Sequence, residues 1–161
     1  MKRLDKHNYY LDIAQTVLCR STCLRRRFGA IIVNNDEIIA TGYNGAPRGR
    51  KNCTDLQFCI RKQLQVPRGE RYEMCRSVHA EANAIIRARR KDIIGASLYL
   101  VGQEQDGSYV ENACPCTMCK RFIINAGIEN IIIRDTKEEY RIIKAGEWIE
   151  NDDTLSGNMR Y

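Results

Sequence analysis

The chain has no apolar run approaching the roughly 20 residues that cross a bilayer, so it contains no candidate membrane span. Residues 1–8 mix charge and polarity and hold no apolar segment of the secretory type, which makes the cytoplasm the expected compartment. Aromatic residues are scarce, 7% of the total, and they do not interleave with basic ones. That argues against a groove for stacked or flipped-out bases and hence against nucleic acid as a partner. Internal repeats, low-complexity tracts and linkers are also missing. What remains, 43% hydrophobic and 29% charged residues, is the make-up of a globular protein. Residues 1–161 are long enough to bury a core and are expected to form a single domain, with the core near 9–135 and a polar tail at 151–161.

Net charge is +6, and the basic residues gather as Arg25, Arg26 and Arg27 and again as Arg87, Arg89, Arg90 and Lys91. Such clusters suit an anionic partner such as a nucleotide phosphate or a nucleic-acid backbone, or they form solvated helix faces and helix C-termini. Eight cysteines are many for 161 residues. In a reducing compartment, spaced cysteines point to metal more than to disulfides.

Apolar spacing predicts a first helix over 5–21, with Tyr10, Ile13, Ala14, Val17 and Leu18 on one side. Two apolar runs, 30–33 and 38–40, joined by Asn34, Asn35 and Asp36, predict a β-hairpin. A turn-forming stretch follows at 42–47, and 45–77 shows no periodicity, as in functional or braced loops. Further on the pattern predicts a helix over 78–90, a third strand over 97–101 and a polar excursion over 103–112. A helix at Thr117–Ala126, closed by Gly127, comes next. The β-branched run Asn130–Arg134 predicts a fourth strand buried on both faces, and 137–145 suggests a last helix. Strands alternating with helices imply an α/β sandwich around one mixed sheet.

Two segments carry chemistry. His79-Ala80-Glu81 opens one predicted helix, and Pro115-Cys116-Thr117-Met118-Cys119 opens another. A helix N-terminus, with its free N–H groups and positive dipole end, favours thiolate over thiol. Cysteines three apart at such a start point to one side, and Pro115 sets the entry of the chain. One His and two Cys make three zinc ligands, one fewer than a closed structural site uses, which leaves room for a water acidified towards a pKa of about 7. Glu81, two residues from the histidine, is placed to move protons. A lone C-x-x-C also fits a redox pair or half of a structural zinc site. The two segments together, in this order, form the zinc deaminase signature.

With these residues the chain resembles the cytidine and deoxycytidylate deaminase superfamily, and within it the deoxycytidylate (dCMP) deaminase branch. The resemblance covers about 9–135. It rests on Phe28-Gly29-Ala30-Ile31-Ile32-Val33, Gly42-Tyr43-Asn44-Gly45-Ala46-Pro47, His79 to Ile85, Pro115 to Cys119, and Ile123 to Ile128. It implies a cytidine deaminase-like three-layer α/β/α sandwich, a cytosine nucleotide monophosphate as substrate, and assembly into homo-oligomers. It further implies that His79, Cys116 and Cys119 bind zinc and that Glu81 is the acid/base. Asn44 would bond near the sugar or base, and Arg27 would be a weaker candidate for the phosphate. Two stretches depart from the branch's pattern: the 103–112 excursion before the Pro-Cys motif, and Arg134-Asp135-Thr136 where an aromatic residue is usual.

Cys23, Cys53, Cys59 and Cys75 flank or lie within the irregular stretch. Some deoxycytidylate deaminases are similar in carrying a second, structural zinc near the positions of Cys23 and Cys53, so a four-cysteine zinc site is one expectation; buried free thiols are the other. Cys19 is expected in the core, Cys114 as a bystander, and His7 as exposed. Two other functions fit the same residues: deamination of a different base, and a catalytically silent zinc-binding regulatory module.

Overall fold

The computed structural model describes residues 3–156. The first helix, α1 (Lys6–Leu18), is started by Asp5, whose carboxylate accepts from the Asn8 backbone N–H at 3.0 Å. Its buried side carries Tyr10, Leu11, Ala14 and Leu18. Cys19, expected in the core, is instead the exposed C-cap of this helix, because the helical spiral ends before the residue turns inward. The strands β1 (Arg26–Asn34) and β2 (Glu37–Tyr43) form the expected hairpin. Asn35 and Asp36 both take positive φ, 48° and 66°, as a two-residue hairpin turn requires.

The aperiodic stretch holds two single-turn helices, α2 (Cys53–Leu56) and α3 (Ile60–Gln63), and a 3₁₀ turn at Tyr72–Met74. The helix expected over 78–90 is divided into α4 (Ala80–Arg87) and α5 (Arg90–Ile93), since Ala88 and Arg89 are extended. Then come β3 (Ser97–Glu104), α6 (Thr117–Ala126), β4 (Asn130–Arg134), β5 (Tyr140–Lys144) and α7 (Ala145–Glu150). Gly127 ends α6 at φ 80°, the left-handed cap that glycine adopts without a Cβ clash.

Two expectations change here. Residues 137–145 are not a helix: Tyr140–Lys144 pairs antiparallel with β4, from Arg134↔Tyr140 to Asn130↔Lys144. Without β5, β4 would be an unpaired edge, and ladder pairing outweighs the local helical pattern. The third strand runs to Glu104, three residues past its expected end, because β1 continues beside it and Arg26 pairs with Glu104. After α7 comes a 3₁₀ turn at Asp153–Ser156, and 157–161 of the polar tail expected over 151–161 lie outside the described residues.

The five strands form one mixed sheet in the order β2-β1-β3-β4-β5, with β3 and β4 parallel and the other pairs antiparallel. Side chains alternate across it. Ile31, Val33, Tyr99, Val101 and Ile132 pack against α1, while Ala30, Ile32, Leu98, Leu100, Ile131 and Ile133 pack with Ala80, Ala84 and Ile123 of α4 and α6. The result is an α/β/α sandwich. No helix among the described residues is long and apolar enough to cross a membrane.

Polar contacts fasten α1 in place. Arg134 is fully buried and donates to Asp12 Oδ1 at 2.7 Å, Gln15 Oε1 at 3.0 Å and Asn8 Oδ1 at 2.9 Å. His7, expected exposed, is half-buried, with Nδ1 3.1 Å from the Tyr99 hydroxyl and its ring against Tyr140. On the other face, α4 lies directly on β2 at Gly42, where a Cβ would come within 2.2 Å of the Ala80 carbonyl and 2.4 Å of the Ala84 nitrogen.

That contact yields a prediction. Neither atom can yield without moving α4, so Gly42→Ala should lower unfolding stability by about 3 kcal/mol, seen as a fall in the denaturant midpoint. An unchanged midpoint would mean that α4 is free to shift on the sheet.

Candidate active site

His79 and Cys116 occupy the same position on two neighbouring helices: each is the N-cap residue, His79 of α4 and Cys116 of α6. Both have extended backbone, and neither side chain caps its own helix. Their donor atoms are thus turned towards each other. Cys119 follows one turn into α6 and is fully buried. The His79 Nδ1 lies 3.5 Å from the Cys116 sulfur and 3.5 Å from the Cys119 sulfur. All three ligand atoms fall within 4.8 Å of one another. Among the described residues this is the one group of three or more such donors at that spacing.

The donor set fits zinc. Bonds of roughly 2.3 Å to sulfur and 2.0–2.1 Å to nitrogen, at tetrahedral angles, put nitrogen and sulfur about 3.5 Å apart. One imidazole and two thiols supply borderline and soft donors, which zinc prefers to hard oxygen sets.

Glu81 sits in the first turn of α4 and is 5% exposed. Burial pushes its carboxyl above the ordinary range, only partly offset by the neighbouring His79. Cys116 is drawn the other way, to about 4, first by the hydrogen bond from Cys119 and then by His79. Cys119, as the donor in that pair and buried, is raised. Burial lowers His79, but the Cys116 bond and the Glu81 charge outweigh it and leave the imidazole raised. Asn83 helps hold this end of α4, donating to the Tyr43 carbonyl at 2.8 Å.

These groups open onto a cavity of 1330 Å³. His79, Glu81 and Cys116 line it, and Arg25, Arg26, Arg61, Lys62, Arg68 and Arg76 give it a basic wall. Asn44 also lines it, buried, but most of its amide is engaged within the chain. Oδ1 accepts from Ser21 Oγ at 2.5 Å and the Phe28 N–H at 2.8 Å, and Nδ2 donates to the Arg26 carbonyl at 2.9 Å. A ligand could reach only the second amide hydrogen.

Arg27, expected near a phosphate, is not among the cavity-lining residues. Alternation along β1 turns it to the α1 face, where its Nε is buried without a hydrogen-bond partner. Its neighbour Arg26 faces the cavity instead. The second basic cluster is solvated: Arg87, Arg89, Arg90 and Lys91 are exposed, with Arg87 and Arg90 donating to the backbone carbonyls of Thr41 and Asn125.

Cys23, Cys53, Cys59 and Cys75 all border the same cavity. Burial raises the thiols of Cys23, Cys53 and Cys75, and the cysteines reinforce one another's shift. No three of the four stand within 4.8 Å of one another. Cys114 is exposed and outside the three-donor group.

Several residues escaped the sequence reading. Arg61 is 5% exposed, and its guanidinium lies 4.5 Å over the Tyr72 ring, which in turn meets the His79 ring edge-on at 4.9 Å. Both come from the aperiodic stretch, where no pattern marks a side chain's direction. Arg26 was within reach, because strand parity separates it from Arg27.

A layered α/β/α sheet with a histidine–dicysteine centre and a buried carboxylate defines a hydrolytic zinc enzyme class, and the comparisons narrow it. The chain belongs to the cytidine and deoxycytidylate deaminase family: the family model described as "Cytidine and deoxycytidylate deaminase zinc-binding region" matches residues 4–134. The deoxycytidylate deaminase of Mycobacterium phage D29 is 36% identical over 137 residues, 82% of this chain and 96% of that protein. The deoxycytidylate deaminase of Schizosaccharomyces pombe is 33% identical over 126 residues, 78% of this chain but 35% of the yeast protein, so the chain spans about a third of that relative's length. Among solved structures, the dCMP deaminase of cyanophage S-TIM5 in apo form aligns with a TM-score of 0.57 at 27% identity, covering 84% of this chain and 86% of that one. The same phage enzyme has been solved in complex with dCMP and dUMP.

Proposed function

We propose that residues 1–161 act as one deaminase domain that converts dCMP and water into dUMP and ammonia. The observation that carries this reading is the buried Glu81 carboxyl in the first turn of α4, beside three donors at zinc spacing. The phage D29 and S-TIM5 relatives, which this chain matches over most of its length, support dCMP as the substrate.

His79, Cys116 and Cys119 would hold zinc. When bound, the ion supplies a Lewis acid that makes water nucleophilic near neutral pH. Glu81 takes a proton from the attacking water and delivers it to ring N3 of cytosine. The water oxygen bonds to C4; Glu81 then takes the remaining proton from that oxygen and passes it to the exocyclic nitrogen, so that the C4–N bond breaks, ammonia leaves and C4 keeps the oxygen as a carbonyl. A group that both accepts and donates needs its two forms close in energy at the working pH, and burial moves the Glu81 carboxyl in that direction. Glu81 is only 5% exposed, which limits the bulk solvent that can short-circuit the transfer. Asn44 would offer its remaining amide hydrogen to the sugar or base, and the basic wall would receive the phosphate.

Three further parts belong to the proposal. Cys23, Cys53, Cys59 and Cys75 would close on a second, structural zinc, supported by all four bordering the cavity and by the small core of the stretch they brace. The working compartment would be the cytoplasm, where thiolate ligands stay reduced. A second copy of the chain would cover the apolar groove on the outer side of α4 and α6, where Ile86 is 75% exposed beside Phe122, Ala82 and Ala126.

Three measurements test these statements. Ammonia release from a panel of nucleosides and nucleotides should be fastest with dCMP, and Glu81→Gln should cut turnover by about 10³-fold while keeping its metal; near-normal turnover in that variant would remove Glu81 from its role. Metal analysis should find two zinc per chain, one lost in Cys116→Ala and the other in the double variant Cys23→Ser, Cys59→Ser. A single zinc in the unaltered protein would eliminate the second site. Sedimentation should show an oligomer that Ile86→Glu shifts towards the monomer, whereas an unaltered distribution would place the subunit contact elsewhere.

A further inference from the structure

Within the basic wall one carboxylate breaks the pattern. Glu104, at the end of β3, borders the cavity, and a single one of its oxygens, Oε1, collects N–H groups from two arginines. Arg26 reaches it through Nε at 2.9 Å and Nη2 at 2.7 Å, and Arg68 through Nη2 at 3.0 Å. Two guanidiniums converging on one oxygen is the arrangement that binds a phosphate oxygen.

The arrangement is built by the sheet and not by chance side-chain contact. Arg26 and Glu104 are register partners across β1 and β3, so strand pairing alone sets them opposite each other. The residue after Glu104 is tied down as well: Gln105 donates to the Cys23 carbonyl at 3.1 Å. Arg68 arrives from the aperiodic stretch and is the most exposed of the three side chains, at 63%. All three border the same cavity as His79 and Glu81.

We propose that Glu104 is a built-in competitor for the substrate's phosphate: in the empty cavity its carboxylate holds the anion position between Arg26 and Arg68, and an entering 5′-phosphomonoester displaces it. This rests on the reading of the cavity as a nucleotide monophosphate site. A phosphate dianion carries more charge and more acceptor oxygens than a carboxylate, so exchange is downhill once a nucleotide is present. Two pairs that are only partly exposed are weak enough to break at each turnover. A nucleoside has no group that can dislodge the carboxylate, and for it the basic wall stays internally neutralised. Glu104 thereby lowers the affinity for inorganic phosphate and other small anions as well, and keeps the two guanidiniums aligned for the monoester.

The test is Glu104→Gln, which keeps the shape of the side chain and removes its charge. The KM for dCMP should fall about fivefold, the size expected for losing one or two partly exposed ion pairs, with the KM for deoxycytidine unchanged. Inorganic phosphate, titrated calorimetrically onto the zinc-loaded protein, should bind more tightly by a similar factor. Arg68→Gln should act in the opposite sense and raise the KM for dCMP alone. An unchanged or raised KM for dCMP in Glu104→Gln, with far-UV circular dichroism and zinc content unaltered, would overturn the proposal. The phosphate titration reads the anion position without any turnover. Tighter phosphate binding with no ammonia from any nucleotide would therefore sink the deaminase reading and leave the Glu104 assignment standing.

Discussion

The site depends on two helices beginning at the same place. The β3–β4 pair is parallel, so the chain must cross over between them, and α6 in that crossover starts beside the start of α4. At each start the N-cap residue is extended and carries a metal donor in place of a capping group, so His79 and Cys116 meet. The separation of the helices from the sheet is equally constrained, because Gly42 lets α4 descend to a distance that no larger residue permits. Spacing the three donors for one ion is thus a property of the sheet and its two helices, with little left to side-chain flexibility.

The same placement explains the electrostatics. Three ionisable donors and a carboxyl are gathered where burial penalises charge, and the proximity of His79 and Cys119 offsets that penalty for the Cys116 thiolate. The Glu81 carboxyl is left raised, with burial as the largest cause. Arginines give the same cavity a basic wall, suited to a ligand that joins a neutral ring to an anion. Glu104 inside that wall makes it a less general anion trap than its arginine content alone implies.

The opposite face has a different purpose. Arg134, fully buried and bonded to Asp12, Gln15 and Asn8, fastens α1 to β4, and His7 extends the contact to Tyr99 and Tyr140. A chain position at which the family resemblance anticipates an aromatic residue facing substrate is here committed to holding the far layer of the sandwich. The aperiodic stretch contributes Arg61, Arg68 and Tyr72 to the cavity, and Tyr72 touches the His79 ring.

What could be read from the residues alone was the donor set and most of the layering. Donor identity, the three-residue cysteine spacing and the position of each segment at a helix start are local properties, written within a few residues of one another. The hairpin turn at Asn35 and Asp36, the α6 cap at Gly127 and the β-branched β4 are local in the same sense. Tertiary structure alone decided the rest, because it depends on partners distant in sequence. Residues 137–145 became a strand because β4 offered them a ladder. Arg26 rather than Arg27 faces the cavity because parity along β1 is set by which side chains the core takes. Glu104 came to lie against Arg26 because β3 continued as far as its neighbour did, and no short-range pattern records where a paired strand ends.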